Sequence, residues 1–189
     1  MKAQIAVRRT RYMNPGRMPQ LEQALRPVPG YARAVREVSR MLAEAGIRHA
    51  LVGGLGANAY RSRPRTTEDI DFLVGDEAFQ KHEGGFVTLR VPVIEYDGIE
   101  VDQVPLAEGL RALEEGLARA IVSEGVPVAP VDTIVIMKLL AGRTQDLADI
   151  EAIVASGADR DALKAAVQQA LPDRVEVLQN LFRNVDRQR

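Results

Sequence analysis

The feature that most constrains the fold is a short apolar run that ends abruptly in two glycines. Residues 47–52 have the length and apolar character of a buried strand, and Gly53-Gly54 follows directly. Residues 55–60 then favour a helix, so the order is strand, glycine turn, helix. Glycine lets the backbone approach an anion closely, and a helix N-terminus offers free N–H groups. The pattern predicts a phosphate-binding turn, although a Gly-Gly pair alone is usually only a turn.

The rest of the chain predicts a mixed core followed by helices. Apolar residues at helical spacing predict a helix from Tyr31 to Ala45, which Gly46 ends. Asp97-Gly98 is a strong hairpin signal. Further strands are predicted at residues 69–74, 86–93, 93–96, 99–104 and 120–128. Further helices are predicted at residues 106–117, at 132–140 with Asp132 as its cap, at 145–155, at 159–171, and from Pro172 onward.

These elements predict an α+β fold, with a small mixed β-sheet, flanking helices and a helical C-terminal part. We expect an irregular basic leader over residues 1–30, broken by prolines and glycines, an α+β core over residues 31–129, and a helical subdomain over residues 130–189. A chain of 189 residues with 46% hydrophobic and 27% charged residues is long enough for one well-packed domain, or for a core with a small helical appendage.

Composition narrows the classes of function. The chain has no cysteine, which excludes disulfides and thiolate metal sites. No apolar run approaches the roughly 20 residues of a membrane-spanning helix, and the N-terminus lacks the apolar centre of a secretory signal. We therefore expect a cytoplasmic protein without a membrane partner.

The net charge of -1 hides a basic leader. Residues 1–30 hold six basic residues and one acidic residue, so the leader carries +5 and the rest of the chain -6. Such an arm is suited to contact nucleic acid or an acidic partner. A solvated tail explains the same composition equally well, and both alternatives stay open.

Asp69-Ile70-Asp71 is the segment that indicates chemistry. On a strand, residues two apart point to the same face with Cα atoms roughly 6.6 Å apart. Two converging carboxylates repel each other unless a cation lies between them, and Mg²⁺ prefers oxygen ligands that it shares with substrate phosphates. Alone, an acid-x-acid strand is more often an exposed polar face.

Two further observations strengthen the metal-site interpretation. Arg61, Arg63 and Arg65 lie between the glycine turn and the acids, where they could neutralise a triphosphate, although a solvated loop explains at least one of them. Asp102 lies on an alternating strand after the predicted hairpin. If that strand neighbours residues 69–74, Asp102 can complete a two-metal site and act as general base, with Glu100 as the fallback on the same face.

The joint pattern resembles a known superfamily. Three runs carry the resemblance, LVGGLGA at residues 51–57, RTTEDIDFLV at residues 65–74, and Val101-Asp102. Together they are similar to the DNA polymerase beta-type nucleotidyltransferases, over residues 47–104. KLLAGR at residues 138–143, followed by Asp146 and Asp149, is similar to the abortive-infection (AbiEii-like) branch. The spacer from Gly54 to Asp69 is longer than the family pattern, which leaves open which loop arginines reach the nucleotide.

The resemblance implies an Mg²⁺-dependent nucleotidyltransferase, with two ions expected. It assigns roles to nine residues. Asp69, Asp71 and Asp102 are the expected metal ligands and catalytic residues, with Asp102 as the general base. The expected nucleotide-binding residues are Gly53, Gly54, Arg65, Thr67, Lys138 and Arg143. The substrate implied is an NTP, and the acceptor hydroxyl is on RNA, a protein or a small molecule. The AbiEii-like branch also suggests a toxin with a cognate antitoxin protein. The alternative is a catalytically inactive nucleotidyltransferase-fold binding or antitoxin-like module.

Three side chains have competing structural explanations. Lys138 lies amid apolar residues, where it is either a triphosphate ligand or a side chain that snorkels at the edge of the core. Asp146 and Asp149 can pair with Arg143 across helical turns, so a structural ion-pair cluster and a pocket role are equally open. His49 and His82 have no partner at ligand spacing and do not indicate a metal site.

Overall fold

The structure, a computed structural model, describes residues 18–188 except residues 82, 84 and 86. Most of the basic leader, the first residue of the strand predicted from residue 86, and His82 lie outside the described residues. The described residues form eight α-helices: α1 (Leu21–Leu25), α2 (Tyr31–Glu44), α3 (Gly53–Asn58), α4 (Arg111–Ala118), α5 (Val131–Ala141), α6 (Thr144–Ala155), α7 (Arg160–Ala170) and α8 (Val175–Arg187). They also form eight strands: β1 (His49–Leu51), β2 (Ile70–Val74), β3 (Phe79–Lys81), β4 (Val87–Leu89), β5 (Glu95–Tyr96), β6 (Ile99–Pro105), β7 (Ile121–Ser123) and β8 (Val126–Val128).

Six of the strands form one mixed sheet in the order β5-β6-β2-β1-β8-β7. β2 pairs with β6 in parallel and with β1 antiparallel, while β1 pairs with β8 in parallel. The outer strands join through tight hairpins at Asp97-Gly98 and Glu124-Gly125, where all four residues have positive φ. β3 and β4 form a separate two-stranded sheet. The predicted α+β fold with a mixed sheet is confirmed.

Strand β2 and helix α5 form the buried centre of the fold. Ile70, Phe72 and Leu73 of β2 are fully buried, so this strand is covered on both faces. α5 buries eight of its eleven residues and packs against α3, α4, α6 and α7. A helix that is hydrophobic on all sides belongs inside a protein, which explains its central place. The start of β2, the middle of β6, the start of α3 and one side of α5 line one cleft.

Several details of the sequence prediction are wrong. The segment expected to be irregular contains α1, because Leu21, Ala24 and Leu25 recur at helical spacing and bury against the core. The helix expected from residue 106 begins only at Arg111. The N-cap of α5 is Pro130, and Asp132 is the second residue of the helix; its carboxylate accepts hydrogen bonds of 2.9 Å from the Thr133 N–H and 2.8 Å from Arg119.

Within the described part of the chain, none of the helices combines the length and the apolar character that crossing a bilayer requires.

Candidate active site

Three carboxylates converge where β2 and β6 run side by side. The parallel register sets Asp71 directly opposite Asp102, which confirms that the strand of Asp102 neighbours residues 69–74. Asp69 immediately precedes β2, and one carboxylate oxygen from each of the three residues lies within 4.8 Å of the others. Glu100 faces Glu95 of β5 and does not belong to this group. We call Asp69, Asp71 and Asp102 the acidic triad.

The acidic triad is electrostatically unfavourable without a cation. Burial raises the pKa of Asp71 to about 6, and the negative charges of Asp69 and Asp102 add to the rise. A hydrogen bond from the Gly54 N–H and the charge of Lys138 act in the opposite direction. Oxygen ligands that repel one another at this spacing fit a hard divalent cation such as Mg²⁺, which would replace the missing positive charge.

The glycine turn lies directly against the acidic triad. Gly53 has a φ of +58°, and a Cβ atom there would lie 1.7 Å from Asp71 Oδ2. A Cβ on Gly54 would lie 2.6 Å from Thr67 Oγ1. Only glycine allows β1 to pass into α3 at this distance from β2. The turn therefore brings the backbone to the carboxylates, and the Gly54 N–H is a partner of Asp71.

Gly53→Ala should damage both the fold and the site. The left-handed conformation costs an alanine roughly 1–2 kcal/mol, and we expect the displacement of Asp71 to cost roughly 1–3 kcal/mol more, as in an overpacked core. The matched control is Gly46→Ala, since Gly46 has a φ of +72° but no atom within 4 Å of the place that an alanine methyl group would take. Chemical denaturation and Mn²⁺ titration of both variants provide the measurement. Equal losses of stability, with Mn²⁺ binding intact in both, would contradict the role of Gly53.

Thr67 orients one member of the acidic triad. It is buried, and its hydroxyl donates a hydrogen bond of 2.9 Å to Asp69 Oδ1. This bond holds Asp69, which lies just outside the regular strand, toward Asp71. The sequence placed Thr67 among nucleotide-binding residues, and the contact that the structure gives it is to a candidate metal ligand.

A buried cluster of ion pairs lies beside the acidic triad, centred on Asp149. The fully buried carboxylate of Asp149 accepts hydrogen bonds from Arg61 at 2.6 Å and from Arg65 at 2.9 Å. The Lys138 ammonium lies 2.7 Å from Asp149 and 3.1 Å from Asp146. We call Arg61, Arg65, Lys138, Asp146 and Asp149 the buried ion cluster.

The buried ion cluster corrects two sequence interpretations. Lys138 does not snorkel to solvent, because its ammonium group is inside and only 6% of its side chain is exposed. Arg143 pairs with Asp146 at 2.7 Å, as predicted, but Asp149 pairs with Arg61, Arg65 and Lys138 and not with Arg143. α6 packs against α3, which turns Asp149 toward the loop that follows α3.

The cluster's hydrogen bonds outweigh the cost of burying its acids. Burial alone would raise the pKa of Asp149, but hydrogen bonds from Arg65 and Lys138 lower it to about 2. The pKa of Asp146 is likewise lowered, since hydrogen bonds from Arg143 and Lys138 overcome desolvation. Both acids are therefore ionised at neutral pH, and they hold Lys138 and Arg65 in fixed positions.

All nine residues assigned to the site from sequence line one cleft of about 390 Å³. Polar and charged groups dominate this cleft, which we call the phosphate compartment after the ligand that the sequence predicts for it. Of the three loop arginines, Arg65 lines the phosphate compartment, Arg61 is paired with Asp149, and Arg63 is exposed on the loop. This resolves which loop arginine reaches the cleft.

A second cavity of about 400 Å³ adjoins the phosphate compartment, and sequence reasoning missed it. Its walls are mostly apolar and come from β6, α4 and α5, so we call it the apolar compartment. Leu140 on its wall is 43% exposed, which is unusual for a leucine in so apolar a helix. That exposed leucine is the signal that could have revealed the cavity, but only after the helix had been placed.

His49 takes no part in this site. Its ring is buried and lies 2.8 Å from Ser39 Oγ, and burial lowers its pKa. These contacts are structural, in agreement with the absence of any ligand spacing in the sequence.

Comparisons with known proteins give a likeness of shape alone. No protein-family model matches the chain, and no curated protein matches it. Among solved structures, the chain is similar to an antigenic nucleotidyltransferase-like protein from Paracoccidioides brasiliensis. The two share 17% sequence identity with a TM-score of 0.43, over 86% of this chain and 95% of the other. Because that superposition is loose, the function has to rest on the geometry of the site.

Proposed function

We propose that this chain is a metal-dependent nucleotidyltransferase. It would transfer a nucleoside monophosphate from an NTP to an acceptor hydroxyl and release pyrophosphate. The observation that carries the proposal is the convergence of Asp69, Asp71 and Asp102 within 4.8 Å beside a glycine turn and a row of cationic side chains. Three acidic residues at a surface without a glycine turn and cationic side chains beside them would be much weaker evidence for this function.

Each part of the phosphate compartment has a role in this proposal. Asp69, Asp71 and Asp102 would hold Mg²⁺. When bound there, one or two such ions would neutralise triphosphate charge and lower the pKa of the acceptor hydroxyl. Lys138, Arg65 and Arg143 supply further positive charge, and Asp146 and Asp149 hold the first two of these in place.

Asp102 is best placed to act as general base. It is the exposed member of the acidic triad, so an acceptor arriving from solvent meets it first. The acceptor oxygen attacks the α-phosphorus, its proton passes to Asp102, and the bond from the α-phosphorus to the bridging oxygen breaks as pyrophosphate leaves. The protein's contribution is mainly positioning and charge neutralisation.

The rival interpretation is a binding module that retains the fold without activity. Loss of catalysis in such a module typically spares the fold but not the metal ligands. The intact acidic triad, with Thr67 and Gly54 both bonded to its members, favours an active enzyme.

The position of the label in the NTP gives a direct test. The protein is incubated with Mg²⁺, total RNA and cell protein, and with NTPs that carry ³²P at the α or at the γ position. We expect α-label on an acceptor, γ-label in pyrophosphate, and a loss of roughly 10²–10⁴-fold for Asp102→Asn, as for removal of a general base. Glu100→Gln, on the same strand and outside the acidic triad, should retain transfer. Transfer of γ-label to an acceptor, or no release of pyrophosphate, would contradict the proposal.

Two further proposals, on the acceptor and on the biological role, depend on the proposed nucleotidyl transfer. The resemblance to the abortive-infection branch favours a toxin of a toxin–antitoxin pair, with an RNA, a protein side chain or a small molecule as acceptor. Expression of such a toxin should arrest bacterial growth, and Asp102→Asn should abolish the arrest. Continued growth with the active enzyme would remove the toxin role and leave nucleotidyl transfer untouched.

A further inference from the structure

The apolar compartment is the largest feature of the site that the proposed chemistry does not use. Its cavity of about 400 Å³ lies within the range of roughly 300–1,000 Å³ typical of small-molecule sites. Nine of its fourteen lining residues have apolar side chains, among them Val104, Pro105, Leu113, Ile134, Met137 and Leu140. Apolar surface that remains open beside a polar site commonly marks a place for the apolar part of a ligand.

Every residue with a polar side chain that lines the apolar compartment also lines the phosphate compartment. Asp71, Lys138, Arg143 and Asp146 line both cavities, and Gly53 lies at their junction. Of the described residues around the apolar compartment, these four are the only ones with charged or hydrogen-bonding side chains. Asp71 belongs to the acidic triad, and the other three are paired with one another. Away from this shared boundary, the other side chains that line the apolar compartment offer contact area but no hydrogen bonds.

The separation into a polar and an apolar compartment matches the two chemical parts of an NTP. A nucleotide has a polyanionic end and a flat base with large apolar faces. The apolar compartment opens at Gly53 and Asp71, so a nucleotide whose triphosphate occupies the phosphate compartment can reach it with its other end. We propose that the apolar compartment receives the nucleobase by hydrophobic contact alone, and that the enzyme consequently selects weakly among the four bases. This inference rests on the proposed function.

Weak selection follows from the chemistry of the wall. A site with hydrogen-bonding groups can reject a ligand that lacks the matching group by about 10⁴–10⁵-fold, whereas an apolar pocket discriminates only by size, about 10–200-fold per methylene. Met137 is an unbranched side chain that adapts to ligands of different shape. It lies half-buried on the wall, where it can accommodate a purine or a pyrimidine.

Two substitutions test the compartment without disturbing the core. Ala107 and Ala141 line it and are exposed, so Ala107→Phe and Ala141→Phe fill the cavity from the solvent side. The matched control is Ala118→Phe, at an exposed alanine at the end of α4 that does not line it. Isothermal titration calorimetry with Mg²⁺ and no acceptor would measure the binding of ATP, GTP, CTP, UTP and inorganic tripolyphosphate.

We expect the four NTP dissociation constants to lie within about tenfold of one another, and each NTP to bind at least about tenfold more tightly than tripolyphosphate. Ala141→Phe and Ala107→Phe should reduce NTP binding to the tripolyphosphate level, and Ala118→Phe should change nothing. The inference is wrong if one NTP binds more than about tenfold more tightly than every other. It is equally wrong if tripolyphosphate binds as tightly as the NTPs, or if the filled variants bind NTPs normally. If neither NTPs nor tripolyphosphate bind, the proposed function itself fails.

Discussion

Asp71→Asn should make the metal-free protein more stable and at the same time abolish its binding of a metal–nucleotide complex. Burial and the charges of Asp69 and Asp102 raise the pKa of Asp71 to about 6, so its ionised form opposes folding at neutral pH. A shift of this size corresponds to about 2–3 kcal/mol. Asparagine removes the charge and keeps an oxygen that can accept the hydrogen bond of the Gly54 N–H.

The unfavourable charge of Asp71 should also be visible in the pH dependence of stability. Because the pKa of Asp71 is higher in the folded protein than in the unfolded chain, the folded state binds the proton more tightly between about pH 4 and pH 6. The contribution of Asp71 to stability therefore falls as the pH rises through this window and stays low above it. Denaturation of the metal-free protein from pH 4 to pH 8 should show this fall in the wild type and lose it in Asp71→Asn. A variant less stable than the wild type at pH 7, with the same pH profile, would contradict this account of Asp71.

Asp149→Asn should cost about 3–5 kcal/mol of unfolding free energy, the usual effect of removing one partner from a buried ion cluster. The substitution hardly changes the volume of the side chain but leaves Arg61, Arg65 and Lys138 without their common acceptor. The matched control is Glu44→Ala, which removes an exposed partner of Arg40 and should cost no more than about 1 kcal/mol. Urea denaturation of both variants at pH 7 measures the difference.

The contribution of Asp149 to stability should depend on pH with the opposite sign to that of Asp71. Its pKa is lowered to about 2, so its stabilisation is present above about pH 4 and is lost as the pH falls toward 2. Lys138→Met should recover part of the loss in Asp149→Asn, since it removes one of the stranded charges. A loss in Asp149→Asn no larger than that in Glu44→Ala would show that the buried ion cluster is not a stabilising feature.

The part of the site that is local in sequence could be predicted. Two carboxylates one residue apart on a strand must share a face, and a glycine pair after a buried strand must turn sharply. The position of Asp102 depended on one topological condition, and the parallel pairing of β2 with β6 meets it. The need for glycine at position 53 could be suspected, but its cause is Asp71, 18 residues further along the chain.

The parts that depend on packing between distant segments could not be predicted. Asp149 gains Arg61 and Arg65 as partners only because α6 lies against α3, and no spacing rule connects residue 149 to residues 61 and 65. Arg143 was the nearest cation in sequence, and local reasoning therefore chose the wrong partner for Asp149. The apolar compartment likewise needs β6, α4 and α5 together, although each of its wall residues looks like an ordinary core residue in sequence.

Binding of Mn²⁺ tests the central claim most directly, because this ion accepts the oxygen ligands that suit Mg²⁺ and is visible by electron paramagnetic resonance. The full chain would be titrated with Mn²⁺, alone and with an NTP, beside Asp69→Asn, Asp102→Asn and the control Glu100→Gln. The account predicts that the wild type and Glu100→Gln bind Mn²⁺ more tightly when the NTP is present, and that both aspartate variants lose at least about tenfold in affinity. Mn²⁺ binding that survives unchanged in Asp69→Asn and Asp102→Asn, or that the wild type lacks even with an NTP, would contradict it.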